Sequence, residues 1–201
     1  IKRKNGVNQK GKKPLLISDL KLLINVLNEK QKNIDKKLRD KAILLIGFSG
    51  GFRRSELVNL EYDDVEFVTE GVKIFIKRSK TDQSGEGITK GIPYFNSKIY
   101  CPVRALKEWL NHLNLRNGKI FKVSDKSIAL IIKKYSNLAN LDSNKYAGHS
   151  LRSGFATSAA ESGAEERSIM AMTGHKSSEM VRRYIKEANI FKNNALNKIK
   201  I

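Results

Sequence analysis

Cysteine is almost absent from this chain. Cys101 stands alone among 201 residues, so no internal disulfide can form, and a reducing compartment, the cytoplasm, is expected. It precedes Pro102 at a helix start and reads as a small buried residue rather than a nucleophile. Histidine is nearly as scarce. Three of them, His112, His149 and His175, with one cysteine do not give metal-ligand spacing, so neither a metal nor another cofactor is expected. No run of 18 or more apolar residues occurs and no signal peptide opens the chain, so no membrane association is expected. Acidic residues are also in deficit, 20 against 39 Lys and Arg, leaving a net charge of +19. Self-repulsion makes such an excess costly without a polyanionic partner, and nucleic acid is the leading candidate.

What is present suffices for one domain with a small arm. Forty per cent of the residues are apolar, and a domain of this length buries roughly 70% of the surface its unfolded chain exposes. The chain opens on Ile1 rather than Met, as expected for a piece of a longer protein. Residues 1–14, IKRKNGVNQKGKKP, hold six Lys/Arg and no acid and read as a basic linker or arm. From 15 onward helical periodicity takes over. Ser18 is placed to cap a helix carrying Leu20, Leu23, Ile24 and Leu27, and a second helix fits 35–48, ended by Gly50-Gly51. Arg53 and Arg54 follow that turn, then a short helix from Ser55 with Glu56 in its first turn, where a negative charge is favoured.

Between 63 and 95 the period drops to two, in three segments around Val65–Phe67, Val72–Ile76 and Ile88–Tyr94, which read as a small antiparallel sheet. The last two are joined by SKTDQSGEG, and Lys77, Lys80 and Lys90 lie in or beside that polar loop. Helices are expected again from Pro102 to 114, with His112 on the polar side, and from 124 to 137. The densest stretch runs from His149 to Tyr184. His149 and Arg152, three apart, share a helix face, with Leu151, Phe155 and Ala159 as an apolar stripe beside them. A second helix fits 165–173, stopped by Gly174. His175 falls on a turn, and Ser177 caps a third helix with Met180, Val181 and Tyr184 inward. Residues 189–201 could form a weakly amphipathic tail helix on Ile190, Ala195 and Leu196. The fold class is α+β, mainly helical with a small three-stranded antiparallel sheet.

Five pieces, GGFRRSEL, KRSKTD, HSLR, TGH and VRRYI, stand in an order and spacing that resembles the catalytic domain of the tyrosine recombinases, the phage integrase family of site-specific DNA recombinases. The resemblance covers residues 15–185. It implies Arg53 and Arg152 as paired arginines, Lys80 as the hairpin lysine (with Lys77 and Lys90 as competitors), His149 and His175 as the two histidines, Tyr184 as nucleophile and Glu56 as a supporting acid. It further implies a catalytic domain over 15–188 and a separate N-terminal DNA-binding domain to which 1–14 would lead. A tail at 189–201 would dock on a neighbouring protomer, with a homotetramer on synapsed double-stranded DNA.

These residue types suit phosphodiester chemistry. Two planar guanidiniums match the non-bridging oxygens of a phosphate and stabilise charge that develops there. A tyrosine hydroxyl, with an ordinary pKa near ~10, needs positive surroundings and a proton acceptor. The resemblance gives His149 as that base, His175 as the phosphate's hydrogen-bond partner and Lys80 as donor to the leaving 5′ oxygen. The product would be a 3′-phosphotyrosine, reached without metal or ATP. Two other readings stand beside it: relaxation of supercoils in the manner of a type IB topoisomerase, and a non-catalytic helix–turn–helix module over 150–173.

Overall fold

The computed structural model describes residues 12–77, 87–175, 177–189, 197 and 199. Eight α-helices are found among them: α1 (Ile17–Lys30), α2 (Ile34–Ser49), α3 (Arg54–Asn59), α4 (Pro102–Leu113), α5 (Asp125–Leu138), α6 (Ser150–Glu161), α7 (Glu166–Thr173) and α8 (Ser178–Asn189). Between α3 and α4 lies one antiparallel sheet of β1 (Val65–Phe67), β2 (Gly71–Ile76) and β3 (Ile88–Pro93), in the order β1-β2-β3. The mainly helical α+β class and the three-stranded sheet are both observed. No helix among the described residues is long and apolar enough to cross a membrane.

The core is built around α2, where every residue from Ala42 to Ser49 is buried. That helix packs against α1, α3, α4, α5 and α6. In the sheet, side chains alternate between faces, so Val72, Ile74 and Ile76 of β2 point inward. The register sets Ile74 opposite Lys90 and Val72 opposite Ile92, which puts the lysine on the same inward face. A second, much smaller cluster comprises Ala156 and Ala160 of α6, Ile169 of α7 and Val181 of α8, with Tyr184 and Ile185 against it. Helix α8 packs on α6 and α7, and Arg182 forms an ion pair with Glu166.

Some local expectations are corrected. Helix α1 begins one residue before Ser18, with Leu16 at the N-cap and no side-chain cap bond. The buried side of that helix carries the start, since Leu20, Leu23, Ile24 and Leu27 are all in the core. Met180 points out, 48% exposed, whereas Val181 is fully buried. His112 is exposed on the polar side of α4, as expected, with its Nε2 2.6 Å from Asp35 Oδ1 and its ring stacked on Trp109. Cys101 is buried at the N-cap of α4, as expected. Ser177 accepts a bond from the Glu179 N–H at the start of α8. Of the tail segment, Ile190, Ala195 and Leu196 lie outside the described residues.

The chain entering α1 is fastened to α6. The Lys13 N–H donates to the Lys145 carbonyl at 2.7 Å and the Leu15 N–H to the Ser150 carbonyl at 2.9 Å. Asp19, 8% exposed, accepts from the Tyr146 hydroxyl at 2.9 Å and from Lys13 Nζ at 3.2 Å. The approach is close because Gly154 of α6 has no side chain: a Cβ there would stand 1.9 Å from the Leu15 carbonyl oxygen. Backbone cannot yield as a flexible side chain can. Gly154→Ala is therefore expected to destabilise the protein by about 1–3 kcal/mol, read as a lower urea midpoint; an unchanged midpoint would show that the contact is not tight.

Candidate active site

The site is assembled where α2 ends. Gly50 caps α2 and Gly51 follows with φ +55°, a left-handed conformation that favours glycine. A Cβ on Gly51 would also press on Phe155 and Thr173 at 3.1 Å. The turn leaves two carbonyls pointing away from the helix ladder, and each is taken by a buried cation. Lys90 Nζ donates to the Gly50 carbonyl at 2.8 Å, and Arg152 Nη1 donates to the Gly51 carbonyl at 2.9 Å.

Arg53 follows at the N-cap of α3. Its N–H donates to Glu56 Oε2 at 2.9 Å and its Nη1 to Glu56 Oε1 at 2.6 Å. Glu56 is 6% exposed and also faces Lys90 Nζ at 3.8 Å. Burial alone would push its carboxyl up; the charges of Lys90 and Arg53 and the Arg53 hydrogen bonds outweigh that and hold it below the usual carboxylate range.

Arg152 is 1% exposed. Burial, then the neighbouring charge of Arg53, lower its pKa to about 10, against the pull of Glu56 and Tyr184. Its Nη2 is buried and has no hydrogen-bond partner among the described residues. A guanidinium carries five N–H donors, and an unsatisfied buried donor on a charged group costs more than the ~1–3 kcal/mol of a neutral one. An oxyanion at that position would remove the deficit.

Three more side chains complete the cluster. His149 sits at the N-cap of α6 and remains solvent-exposed. Partial desolvation lowers its pKa, followed by the charges of Arg152, Arg53 and Arg54. His175 follows Gly174, which ends α7 in a left-handed conformation (φ +63°). Burial and the charges of Arg152, Arg53, His149 and Lys90 lower its pKa to about 4. Tyr184, half-buried on α8, has its ring centroid 6.3 Å from that of His175. Arg53, Glu56, His149, Arg152, His175 and Tyr184, drawn from three separate parts of the sequence, are thus brought into one neighbourhood. Among the described residues no group of His, Cys, Asp or Glu is arranged to hold a metal ion.

The three hairpin lysines part company. Lys80 lies outside the described residues. Lys77 is tied to Glu61 at 2.6 Å and Asp64 at 3.0 Å, and those carboxylates raise its pKa to about 12. Lys90 is 3% exposed and stands 4.3 Å over the Phe52 ring. Burial, with help from Arg152 and Arg53, lowers its pKa to about 8 against the opposing pull of Glu56. Its buried role went unread in the sequence, although the alternation Ile88, Lys90, Ile92 carried the signal: three residues on one face of a strand whose neighbours are apolar.

A model of the family described as the phage integrase family matches residues 17–189. Among curated proteins, an integrase/recombinase XerD homolog of Selenomonas ruminantium is 47% identical over 211 aligned residues, covering 99% of this chain and 61% of that protein. A tyrosine recombinase of Agathobacter rectalis is 33% identical over 156, covering 73% of this chain and 47% of that one. The chain thus spans about half to three fifths of the length of these relatives. Among solved structures, the site-specific recombinase XerH in a post-cleavage complex with its palindromic difH substrate superposes with a TM-score of 0.73 at 20% identity, over 94% of this chain and 57% of that one.

Lys90 gives a prediction in pH. Its folded pKa of about 8 lies below the ordinary value of 10.5, so between those values the unfolded chain binds more protons than the native one. Stability should therefore rise with pH across that window and fall as pH drops through it. Urea midpoints measured from pH 7 to 10.5 should show a rise that is absent in Lys90→Met. Parallel curves for the two proteins would contradict the assignment.

Proposed function

The chain belongs to the phage integrase family of tyrosine recombinases, and on that premise we propose that it is the catalytic domain of a site-specific recombinase acting on double-stranded DNA. The observation that carries the reading is the buried, unpartnered Nη2 of Arg152 among Arg53, His149, His175 and Tyr184. A phosphodiester matches that donor in charge and in hydrogen-bonding type.

In the proposed reaction Arg53 and Arg152 hold the non-bridging oxygens of the scissile phosphate. Tyr184 Oη attacks phosphorus as its proton passes to His149. The bond to the 5′ oxygen breaks, and Lys80 supplies that oxygen's proton. A 3′-phosphotyrosine and a free 5′ hydroxyl result. Phosphoester bond energy is retained, so attack by a 5′ hydroxyl from another strand reverses the step without ATP, metal or other cofactor. His175 hydrogen-bonds the phosphate. Lys90 serves differently from Lys80: buried beneath the glycine turn, it holds Glu56 and the Gly50 carbonyl, and through them Arg53. The remaining positive charge of the chain neutralises flanking phosphates.

The domain reading follows the same lines. Residues 15–188 form the catalytic unit and 1–14 a basic linker or arm that would lead to an N-terminal DNA-binding domain. Residues 189–201 dock on a neighbouring protomer within a DNA-bound homotetramer.

A nicked suicide substrate carrying a cognate site tests the reading. A covalent protein–DNA adduct is expected on a denaturing gel, absent in Tyr184→Phe. Arg152→Ala should slow adduct formation by about 10²-fold or more while leaving most DNA affinity. Absence of adduct from the unaltered protein across candidate attachment sites would overturn the enzymatic reading, and relaxation of supercoils without a preferred site would assign a topoisomerase instead.

A further inference from the structure

The hydroxyl of Thr173 is buried at the last residue of α7. It lies 2.6 Å from the Ile169 carbonyl oxygen and 2.7 Å from Nδ1 of His175. A hydroxyl has a single proton, and a carbonyl oxygen can only accept. At 2.6 Å the proton must sit between the two oxygens, since otherwise two sets of lone pairs would face each other with nothing between them. His175 Nδ1 must then bring its own proton to Thr173 Oγ1. A neutral imidazole has one N–H, so Nε2 is left with a lone pair. A ring in that state cannot donate a hydrogen bond through Nε2 to a phosphate oxygen.

We propose that Thr173 is a positioning residue that fixes His175 in its Nδ1–H tautomer, so that His175 engages an oxyanion through Nε2 only after taking up one proton from solvent. This rests on the reading of the site as a phosphate site and deepens it. The proton enters at Nε2, the ring becomes an imidazolium, and it then donates to Thr173 through Nδ1 and to the oxyanion through Nε2.

Among the described residues, every group that faces His175 bears on this uptake. Arg152 and His149 come from α6, Arg53 from the turn before α3 and Lys90 from β3, all lowering its proton affinity, and the Tyr184 ring comes from α8. An arriving oxyanion offsets the positive groups, so proton affinity at His175 rises on binding. The bound pKa is then above the free value of about 4. By linkage, affinity for the anion increases as pH falls from the bound pKa towards the free one.

The tautomer is read directly by nitrogen-15 NMR of the full chain labelled at histidine, with inorganic sulfate as the oxyanion probe. In the unaltered protein Nδ1 of His175 should show a protonated, pyrrole-type signal and Nε2 a pyridine-type one. Thr173→Val keeps the side-chain shape and leaves the Ile169 carbonyl its ordinary i→i−4 backbone donor. It should move the proton to Nε2, and Thr173→Ser should restore Nδ1–H. Saturating sulfate should raise the His175 titration midpoint by about one pH unit, a tenfold change in acidity, in the unaltered protein and in Thr173→Ser, and by less in Thr173→Val. An Nε2-protonated ring in the free protein, a tautomer unchanged in Thr173→Val, or a midpoint unmoved by sulfate would each overturn the inference. The covalent-adduct assay keeps the two claims apart: an adduct with the wrong tautomer sinks this inference alone, and the right tautomer without an adduct sinks only the recombinase reading.

Discussion

Two carbonyl groups on one turn organise this protein's cations. Gly50 and Gly51 break α2 so that their oxygens face inward, one to Lys90 and one to Arg152. Burying a charged group is costly unless it is hydrogen-bonded, and these two bonds anchor side chains that arrive from β3 and α6. The same turn delivers Arg53 to the mouth of α3, where Glu56 fixes it by hydrogen bonds from backbone and guanidinium. Sheet, turn and two helices are held in one arrangement by a few polar contacts inside an otherwise apolar core.

The arrangement is electrostatically incomplete as it stands. Arg152, His149, His175 and Lys90 all have lowered pKa values, because burial and mutual repulsion oppose their charged forms. Among the described residues Glu56 is the carboxylate that compensates from within the cluster, and its own carboxyl is held ionised by the cations around it. Such a site is preorganised for an anion: its donors are fixed in advance and stabilisation appears when negative charge arrives. The chain as a whole repeats the theme, with a net charge of +19 that the proposed DNA partner would neutralise.

Much of this was legible in the sequence, for physical reasons that can be named. A change of period from 3.6 to 2 between 63 and 95 marked the sheet, and the double glycine marked the end of α2. The order of short motifs pointed to Arg53, His149, Arg152, His175 and Tyr184 before any coordinates placed them together. What failed was local. Ser18 looked like a cap, but burial of Leu20 and Leu23 draws the helix one residue further back. Met180 was assigned inward, yet Val181 fills that space. The charge of Lys90 argues for solvent, yet the side chain is 3% exposed. Only tertiary contacts, Glu56 and the Gly50 carbonyl, explain a lysine on the buried face of a strand. Thr173 was visible only as the first letter of TGH, since its hydroxyl matters through a carbonyl four residues back and a ring two residues ahead.

The small cluster beneath α8 contrasts with the large core beneath the arginines. Val181, Ile169 and two alanines hold the helix that bears Tyr184, whereas Arg152 is locked by α6 and the turn. The anion site itself is therefore the central feature. A crystal structure of the protein soaked with tungstate, located by its anomalous signal, tests it most directly. The oxyanion should be bound between Arg53 and Arg152 with Arg152 Nη2 as a donor; tungstate bound elsewhere, with that nitrogen still lacking a partner, would contradict it.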